Sequence, residues 1–204
     1  WQWMHATEKM MKGEMGVHDI YNVLHAYAQY PKGAFKLFYT SNHDENSWNG
    51  TEYEKYQHCA RAMAVFTYTW KNSVPLVYTG QELANNKRLQ FFDKDPLHWS
   101  VSPILAPMYT TLNQLRKDSA AIAKGEVFQL PMPNNFAMAY VRTYGSEVVL
   151  VILNFSHERL KTEFTHEKIQ GTFTQVFSGL NYSLQPDSSF NIMPGEYMVY
   201  RKVK

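Results

Sequence analysis

The stretch Phe38-Tyr39-Thr40-Ser41-Asn42-His43-Asp44-Glu45-Asn46-Ser47-Trp48 turns abruptly from apolar to polar. An apolar run over residues 36–40 ends in a dense polar cluster. A buried parallel strand delivers side chains to the carboxyl end of a sheet in this way. Residues upstream read as a helical lead-in, and residues downstream read as the rest of a scaffold. The cluster sets one imidazole, His43, beside one carboxylate, Asp44. That pair alone is not a complete active site.

Moving outward, Thr51-Glu52-Tyr53-Glu54 reads as a capping box, in which a hydroxyl and a carboxylate close a helix start reciprocally. Tyr56, Cys59, Ala60, Met63, Thr67 and Trp70 follow at helical spacing, and the helix is expected to end near Asn72-Ser73. A second apolar run, Val74-Pro75-Leu76-Val77-Tyr78, ends in the polar turn Thr79-Gly80-Gln81-Glu82. Pro75 fits the first position of a strand, where a missing N–H is tolerated. The whole is a strand–helix–strand unit of the length needed for a parallel crossover. Both polar clusters then fall at the carboxyl ends of their strands, where parallel sheets place ligands.

Upstream, Trp3, Ala6, Met10 and Met11 suggest a helix over residues 1–12, broken by Gly13. Val17, Ile20, Tyr21, Leu24, Tyr27 and Ala28 line one face of a second helix that Pro31 and Gly33 stop. Downstream, residues 83–102 read as a long loop, a length uncommon unless it serves function. A helix is expected from Pro103 to Ala121, with Ile104, Leu105, Met108, Leu112 and Leu115 inward. The texture changes near Gly125. Residues 136–143, 148–155, 160–164, 172–177 and 197–203 read as strands, with Tyr144-Gly145-Ser146 as a hairpin turn. Asn181, residues 186–189 and Pro194-Gly195 supply further turns. The division expected is residues 1–123 as an α/β unit and 124–204 as an antiparallel β domain.

Composition sets bounds. The chain has 204 residues, 45% hydrophobic and 15% aromatic, enough to fill a core. The formal net charge is +2 with no clustered Lys/Arg tract, which argues against nucleic acid. No apolar run reaches the roughly 18 residues of a membrane span. The single cysteine, Cys59, has no partner for an internal disulfide and reads as a buried small hydrophobe. It leaves the compartment open, and localisation is not assigned. The chain opens on Trp1 without a leader pattern, which reads as an internal piece of a longer protein.

Asn42-His43-Asp44 has a plain explanation as turn chemistry after a strand. However, the next helix is capped by Thr51, which leaves Asp44 over. Adjacent Asp and His side chains can both bond the vicinal hydroxyls of a sugar. A nearby carboxylate also stabilises the positive charge of a glycosidase transition state. Tyr39, Trp48, Tyr78, Phe91, Phe92 and Trp99 are candidates for a sugar-stacking wall, with core packing as the alternative. Trp48 has the strongest case, because it lies in a polar loop.

At this point the residues resemble a known family. The stretch Phe38 to Asp44 is similar to the last short motif shared by α-amylase family glycoside hydrolases, where it ends the seventh strand of a (β/α)8 barrel. Val74 to Glu82 resembles the eighth strand of that barrel. Asn86-Lys87-Arg88 and Phe91 to Pro96 resemble the loop after it, and Met193 to Tyr200 resembles the closing strand of the family's C-terminal β domain. The resemblance covers nearly the whole chain. It implies a partial (β/α)8 barrel, its last two strands with their helices, followed by a small antiparallel β-sandwich.

The resemblance further implies that Asp44 stabilises the transition state and holds hydroxyls of the reacting sugar, and that His43 binds the same hydroxyls. Asn42 supports the loop and Arg88 contacts substrate or a barrel carboxylate; Asn42 is also taken as bordering the substrate, as is Trp48 from its place in the polar loop. The partner implied is an α-glucan or maltooligosaccharide. The family's nucleophilic Asp and general-acid Glu have no match here. Retaining chemistry needs two such carboxyls roughly 5 Å apart, so this chain alone is expected to be inactive. Glu45 and Glu82 read as loop supports, not substitutes. The resemblance implies no cofactor for this chain; a calcium site in the parent protein would draw on loops absent here. The alternative is a non-catalytic amylase-like protein that binds glucan or a partner. Two barrel strands leave an open edge and an apolar face. The β domain is therefore expected to dock on the helices, with another copy or a rearranged N-terminal segment covering the edge.

Overall fold

The computed structural model describes residues 1–99 and 102–203. Ser100 and Val101, part of the expected long loop, lie outside the described residues. The chain opens with α1 (Gln2–Met11) and α2 (Val17–Ala26), followed by the strand β1 (Lys36–Phe38). Then come α3 (Glu52–Tyr56), α4 (Ala60–Thr69) and β2 (Ser73–Pro75). β1 and β2 pair in parallel, with Leu37 opposite Val74 and Phe38 opposite Pro75. The expected crossover is therefore present.

Two details of the crossover differ from expectation. The helix is not continuous: Gln57 takes a positive φ of 50°, and a 3₁₀ turn, Gln57–Cys59, separates α3 from α4. Pro75 ends β2 rather than starting it. The Lys36 N–H donates to the Asn72 carbonyl and the Leu76 N–H to the Phe38 carbonyl. Residues 72 and 76 thus face β1, and by alternation Pro75 turns its missing N–H to the open side, where it costs nothing. On that same side the Ser73 carbonyl accepts from Arg116 Nη2 at 2.8 Å.

The strand faces are unequal. Phe38 is buried and stacks on Trp3 of α1, ring centroids 4.8 Å apart, with Phe66 of α4 beyond it at 5.9 Å. Leu37 and Val74, paired in register, point the other way and are 53% and 42% exposed. This is the apolar face expected of an incomplete barrel.

After the loop come α5 (Ala106–Asp118) and α6 (Ala120–Lys124). Pro107 sits in the first turn of α5, as its missing N–H allows. Ile104 precedes this helix and is 67% exposed, contrary to its expected inward position. Ser119 splits the expected helix and caps α6, its hydroxyl accepting from the Ile122 N–H at 3.1 Å.

The remaining strands are β3 (Glu126–Leu130), β4 (Ala137–Tyr144), β5 (Glu147–Asn154), β6 (Leu160–Glu163), β7 (Gly171–Gln175), β8 (Asn181–Leu184), β9 (Ser189–Ile192) and β10 (Tyr197–Lys202). Six form an antiparallel sheet in the order β3-β4-β5-β10-β7-β8, and β6 pairs with β9. β3, β8 and β9 were not anticipated; Asn181 and Ser189 begin strands rather than ending turns. The β4–β5 hairpin closes through Gly145 at φ 57°, with Tyr144 opposite Glu147. Every residue of β5 is buried. Its Val149, Val151 and Leu153 join the core under the helices, while Val148, Leu150 and Ile152 face Phe164, Phe190 and Ile192 of the β6–β9 side. The larger sheet is thus the middle layer, and the β domain docks on the helices as expected.

Arg142 of β4 joins the layers. It is fully buried, and its guanidinium donates to the carbonyls of Thr69, Ile122 and Gly125 at 2.7, 2.9 and 2.8 Å. From the β domain, Asn135 also caps α2, accepting the Val17 N–H on its carbonyl and the His18 N–H on Oδ1.

Candidate functional site

Beyond β1 the chain dives and then turns outward. Thr40 and Ser41 are buried, and Asn42 is 8% exposed. The Asn42 Oδ1 accepts the Glu45 N–H at 2.8 Å and its carbonyl accepts the Asn46 N–H at 2.9 Å. These bonds start a π-helical turn, Glu45–Asn49. Such turns are rare and recur at functional sites. Asn42 supports this loop with both its side chain and its backbone.

The turn projects His43 and Asp44 into solvent, their side chains 69% and 43% exposed, with His43 Nε2 3.7 Å from Asp44 Oδ1. Glu45 points the opposite way. Its carboxylate accepts from Trp1 Nε1 at 2.8 Å and Asn49 Nδ2 at 3.1 Å, and Lys55 Nζ lies 3.5 Å away. Burial raises its pKa, but these donors and the Lys55 charge outweigh burial and hold it below the usual value. Lys55 is itself buried and reaches Glu8 of α1 at 3.1 Å. Glu45 is thereby committed to supporting the turn. Glu82 behaves similarly, with its carboxylate accepting the Gly80 N–H at 3.1 Å.

The two strand ends are locked together by a contact that sequence reasoning missed. Glu52, in the first turn of α3, is 4% exposed. It accepts from Thr40 Oγ1 at 2.9 Å and Gln81 Nε2 at 2.5 Å, and Gln81 Nε2 also donates to Thr40 Oγ1 at 2.7 Å. Burial raises the Glu52 pKa, opposed by the Thr40 and Gln81 hydrogen bonds. Only Gln81 carried a sequence signal, its place in the polar turn after β2. Nothing in the sequence marks Glu52 as buried, because its neighbours already account for the capping box.

The loop after β2 folds over the turn. Asn46 Oδ1 accepts the Leu89 N–H at 2.7 Å, and Arg88 forks onto Glu54 of α3 through three hydrogen bonds of 2.9–3.1 Å. The Arg88 guanidinium draws the Glu54 carboxyl down to about 2. The loop carries Phe91 to within 5.9 Å of His43 and 5.4 Å of Trp48, ring centre to ring centre. Trp48 is 58% exposed. His43, Asp44, Trp48 and Phe91 are thus gathered at one rim, while the Arg88 guanidinium is held by Glu54. Of the other aromatic candidates, Tyr39 is core, Tyr78 is half-buried and Trp99 is exposed. Cys59 is buried, as expected, and burial pushes its thiol up to about 12. Among the described residues no three His, Cys, Asp or Glu side chains converge on a metal position. No helix is long and apolar enough to cross a membrane among the described residues.

No protein-family model matches the chain. α-Amylase MalA of Haloarcula japonica is 29% identical over 136 residues, 63% of this chain and 19% of the relative. An α-amylase from Lactobacillus plantarum superposes with a TM-score of 0.80 at 14% identity, covering 98% of this chain and 46% of that one. The acarbose complex of the α-amylase from Geobacillus thermoleovorans gives 0.77 at 13% identity, covering 98% and 46%. The chain therefore spans a fifth of its sequence relative and less than half of these solved structures. Taken with the order of elements along the chain, these likenesses give residues 1–204 the fold of the C-terminal portion of an α-amylase-family protein.

Proposed function

We propose that this chain is part of a retaining glycoside hydrolase acting on α-linked glucans, and that it contributes one side of the sugar site. Asp44 bonds the hydroxyls of the reacting sugar and stabilises the positive charge that develops on its ring. His43 bonds the same hydroxyls, Asn42 holds the turn that presents them, and Trp48 borders the substrate. Arg88, oriented by Glu54, contacts the substrate or a barrel carboxylate. The observation that carries this reading is the paired, solvent-facing His43 and Asp44 at the carboxyl end of a parallel strand, beside exposed aromatic rings.

Both carboxyls of the retaining mechanism come from outside residues 1–204 in this reading. Glu45 and Glu82 are held in loop support, so neither is placed to serve as nucleophile or acid. The chain alone then binds but does not turn over. A cover on the open barrel edge, another copy or a rearranged N-terminal segment, belongs to the same reading. Nucleic acid has no part in it. The non-catalytic alternative, a glucan-binding relative, shares the site and differs only in whether activity can be restored.

The test is complementation. The chain is mixed or co-expressed with an amylase-type segment supplying the remaining barrel strands, and release of reducing sugar from soluble starch is followed. Activity that appears on mixing and falls at least a hundredfold with Asp44→Asn supports the enzyme, the scale expected for losing a transition-state electrostatic group. An assembled, inactive complex that still binds maltooligosaccharide favours the non-catalytic reading.

A further inference from the structure

The seam between the helices and the β domain carries two histidines that the sugar site does not use. His58 lies in the 3₁₀ turn between α3 and α4, and His157 lies in the loop from β5 to β6. Their ring centres are 4.4 Å apart, with the planes inclined at 44°. Both residues are exposed, so ions in solution reach them. His58 Nε2 donates to the Ser156 carbonyl at 3.0 Å, since a carbonyl can only accept. The β9–β10 loop closes in on the same side: a Cβ placed on Gly195 would come within 2.9 Å of His58 Cδ2. Nε2 and Cδ2 form one edge of the ring, and Nδ1, the vertex opposite, keeps its lone pair. A backbone carbonyl that fixes one ring nitrogen as N–H leaves the other as a ligand, the usual arrangement behind a metal-bound histidine.

The backbone that carries His157 is pinned on both sides. Asn154, fully buried, accepts the Ser156 N–H at 2.9 Å on Oδ1 and donates from Nδ2 to the Glu158 carbonyl at 2.8 Å. The same Nδ2 reaches the Ile192 and Met193 carbonyls at 3.2 and 3.0 Å, which ties this loop to the one after β9. Geometry and donor type then select a guest. Two imidazoles that bind one ion at a right angle, through bonds of about 2.1 Å, hold their ring centres about 4.5 Å apart, and a tetrahedral angle spreads them to about 5.2 Å. The 4.4 Å between His58 and His157 matches the right angle. Nitrogens so placed suit the tetragonal sites of Cu²⁺ and Ni²⁺, whereas Ca²⁺ and Mg²⁺ prefer oxygen. Among the described residues no third His, Cys, Asp or Glu side chain converges with the pair, so water fills the other positions on the ion.

We propose that His58 and His157 form a two-histidine site for a divalent late transition ion, Cu²⁺ or Ni²⁺, which ties the turn between α3 and α4 to the β domain. The two ligands come from distant parts of the chain, and unfolding separates them. The ion therefore binds the folded chain in preference and stabilises it once its concentration exceeds its dissociation constant. Neither histidine belongs to the turn of His43 and Asp44, so this site stands apart from the sugar site.

The experiment titrates NiCl₂ by calorimetry into the full chain, made without a histidine tag, with His157→Ala and His58→Gln alongside. Each variant is expected to weaken Ni²⁺ by more than the roughly tenfold that loss of a supporting group costs. Millimolar CaCl₂ or MgCl₂ should not displace the ion. The melting temperature of the unaltered chain should rise with Ni²⁺, and that of His157→Ala should stay where it is. A second readout needs no variant and stands even where one fails to fold: in NMR spectra, traces of Cu²⁺ should broaden the ring signals of His58 and His157 before those of the other histidines. Unchanged Ni²⁺ affinity in His157→Ala overturns the site. Broadening that begins at another histidine, or displacement of Ni²⁺ by Ca²⁺, overturns it as well.

Discussion

Arg88 and Glu54 meet as a fork, with Nε 3.1 and 3.0 Å from the two carboxylate oxygens and Nη2 2.9 Å from Oε1. The same carboxylate accepts the Thr51 N–H at 2.7 Å, so one side chain both closes the start of α3 and anchors the loop that carries Phe91. The hydrogen bonds from Arg88 hold the Glu54 pKa at about 2, below the unfolded value of about 4.3. The contribution is therefore complete above pH 4.3 and is lost as pH falls through about 2. Both side chains are half exposed, so global stability should move little. Glu54→Gln is expected to speed amide exchange in residues 87–92 at pH 7 while lowering the melting temperature by only about 1–2 °C. At matched pH, the difference between the two proteins should close between about pH 4 and 2. Unchanged exchange in the loop would show that the fork does not anchor it.

Glu52 has the opposite sign. Its folded pKa is raised by burial, so the native state binds a proton that the unfolded chain releases near pH 4.3. Stability then falls as pH rises through the interval between those two values. In Glu52→Gln the side-chain oxygen can still accept from both Thr40 and Gln81, and no charge is buried. The variant should be more stable at pH 7 by about 1 kcal/mol, with the advantage gone below about pH 4. Urea midpoints at both pH values measure it. A variant less stable at pH 7 would mean that the Lys55 charge makes the buried carboxylate a net gain.

The parts that were legible in the sequence are those where local pattern and tertiary role agree. The capping box at Thr51 and Glu54 is satisfied in both directions, and the polar cluster after β1 does project His43 and Asp44. The short strands were harder. β8 and β9 have exposed, polar alternate positions and lie among turn residues, so pairing with a neighbour decides them and local preference does not. The break at Gln57 interrupts an unbroken helical pattern, with φ at 50°. No glycine, proline or change of period marks it. The Thr40–Glu52–Gln81 lock joins residues 12, 29 and 41 positions apart; only the parallel pairing of β1 and β2 brings them together.

Arg142 is the last such case, because its type suggests a surface and its position is the centre of the molecule. Among the described residues no carboxylate lies within salt-bridge distance of it, and the Glu126 charge acts on it only from farther away. Instead, the ends of α4 and α6 turn three carbonyls toward its guanidinium, and the Glu126 carbonyl accepts from Nε at 3.3 Å. Burial lowers its pKa to about 10, so it stays charged at neutral pH. The guanidinium reaches four carbonyls from three separate nitrogens, more acceptors and a wider spread than the three donors of a single ammonium nitrogen can cover. Arg142→Met should therefore cost about 3–5 kcal/mol, since each stranded carbonyl costs about 1–3 kcal/mol and some relaxation follows. Arg142→Lys should recover part of this loss but not most of it. Urea unfolding followed by tryptophan fluorescence tests both, because Trp70 lies next to Thr69 and packs on Tyr140 at 5.0 Å. A methionine variant as stable as the unaltered chain would show that the helices and the β domain are held together by the shared apolar core alone.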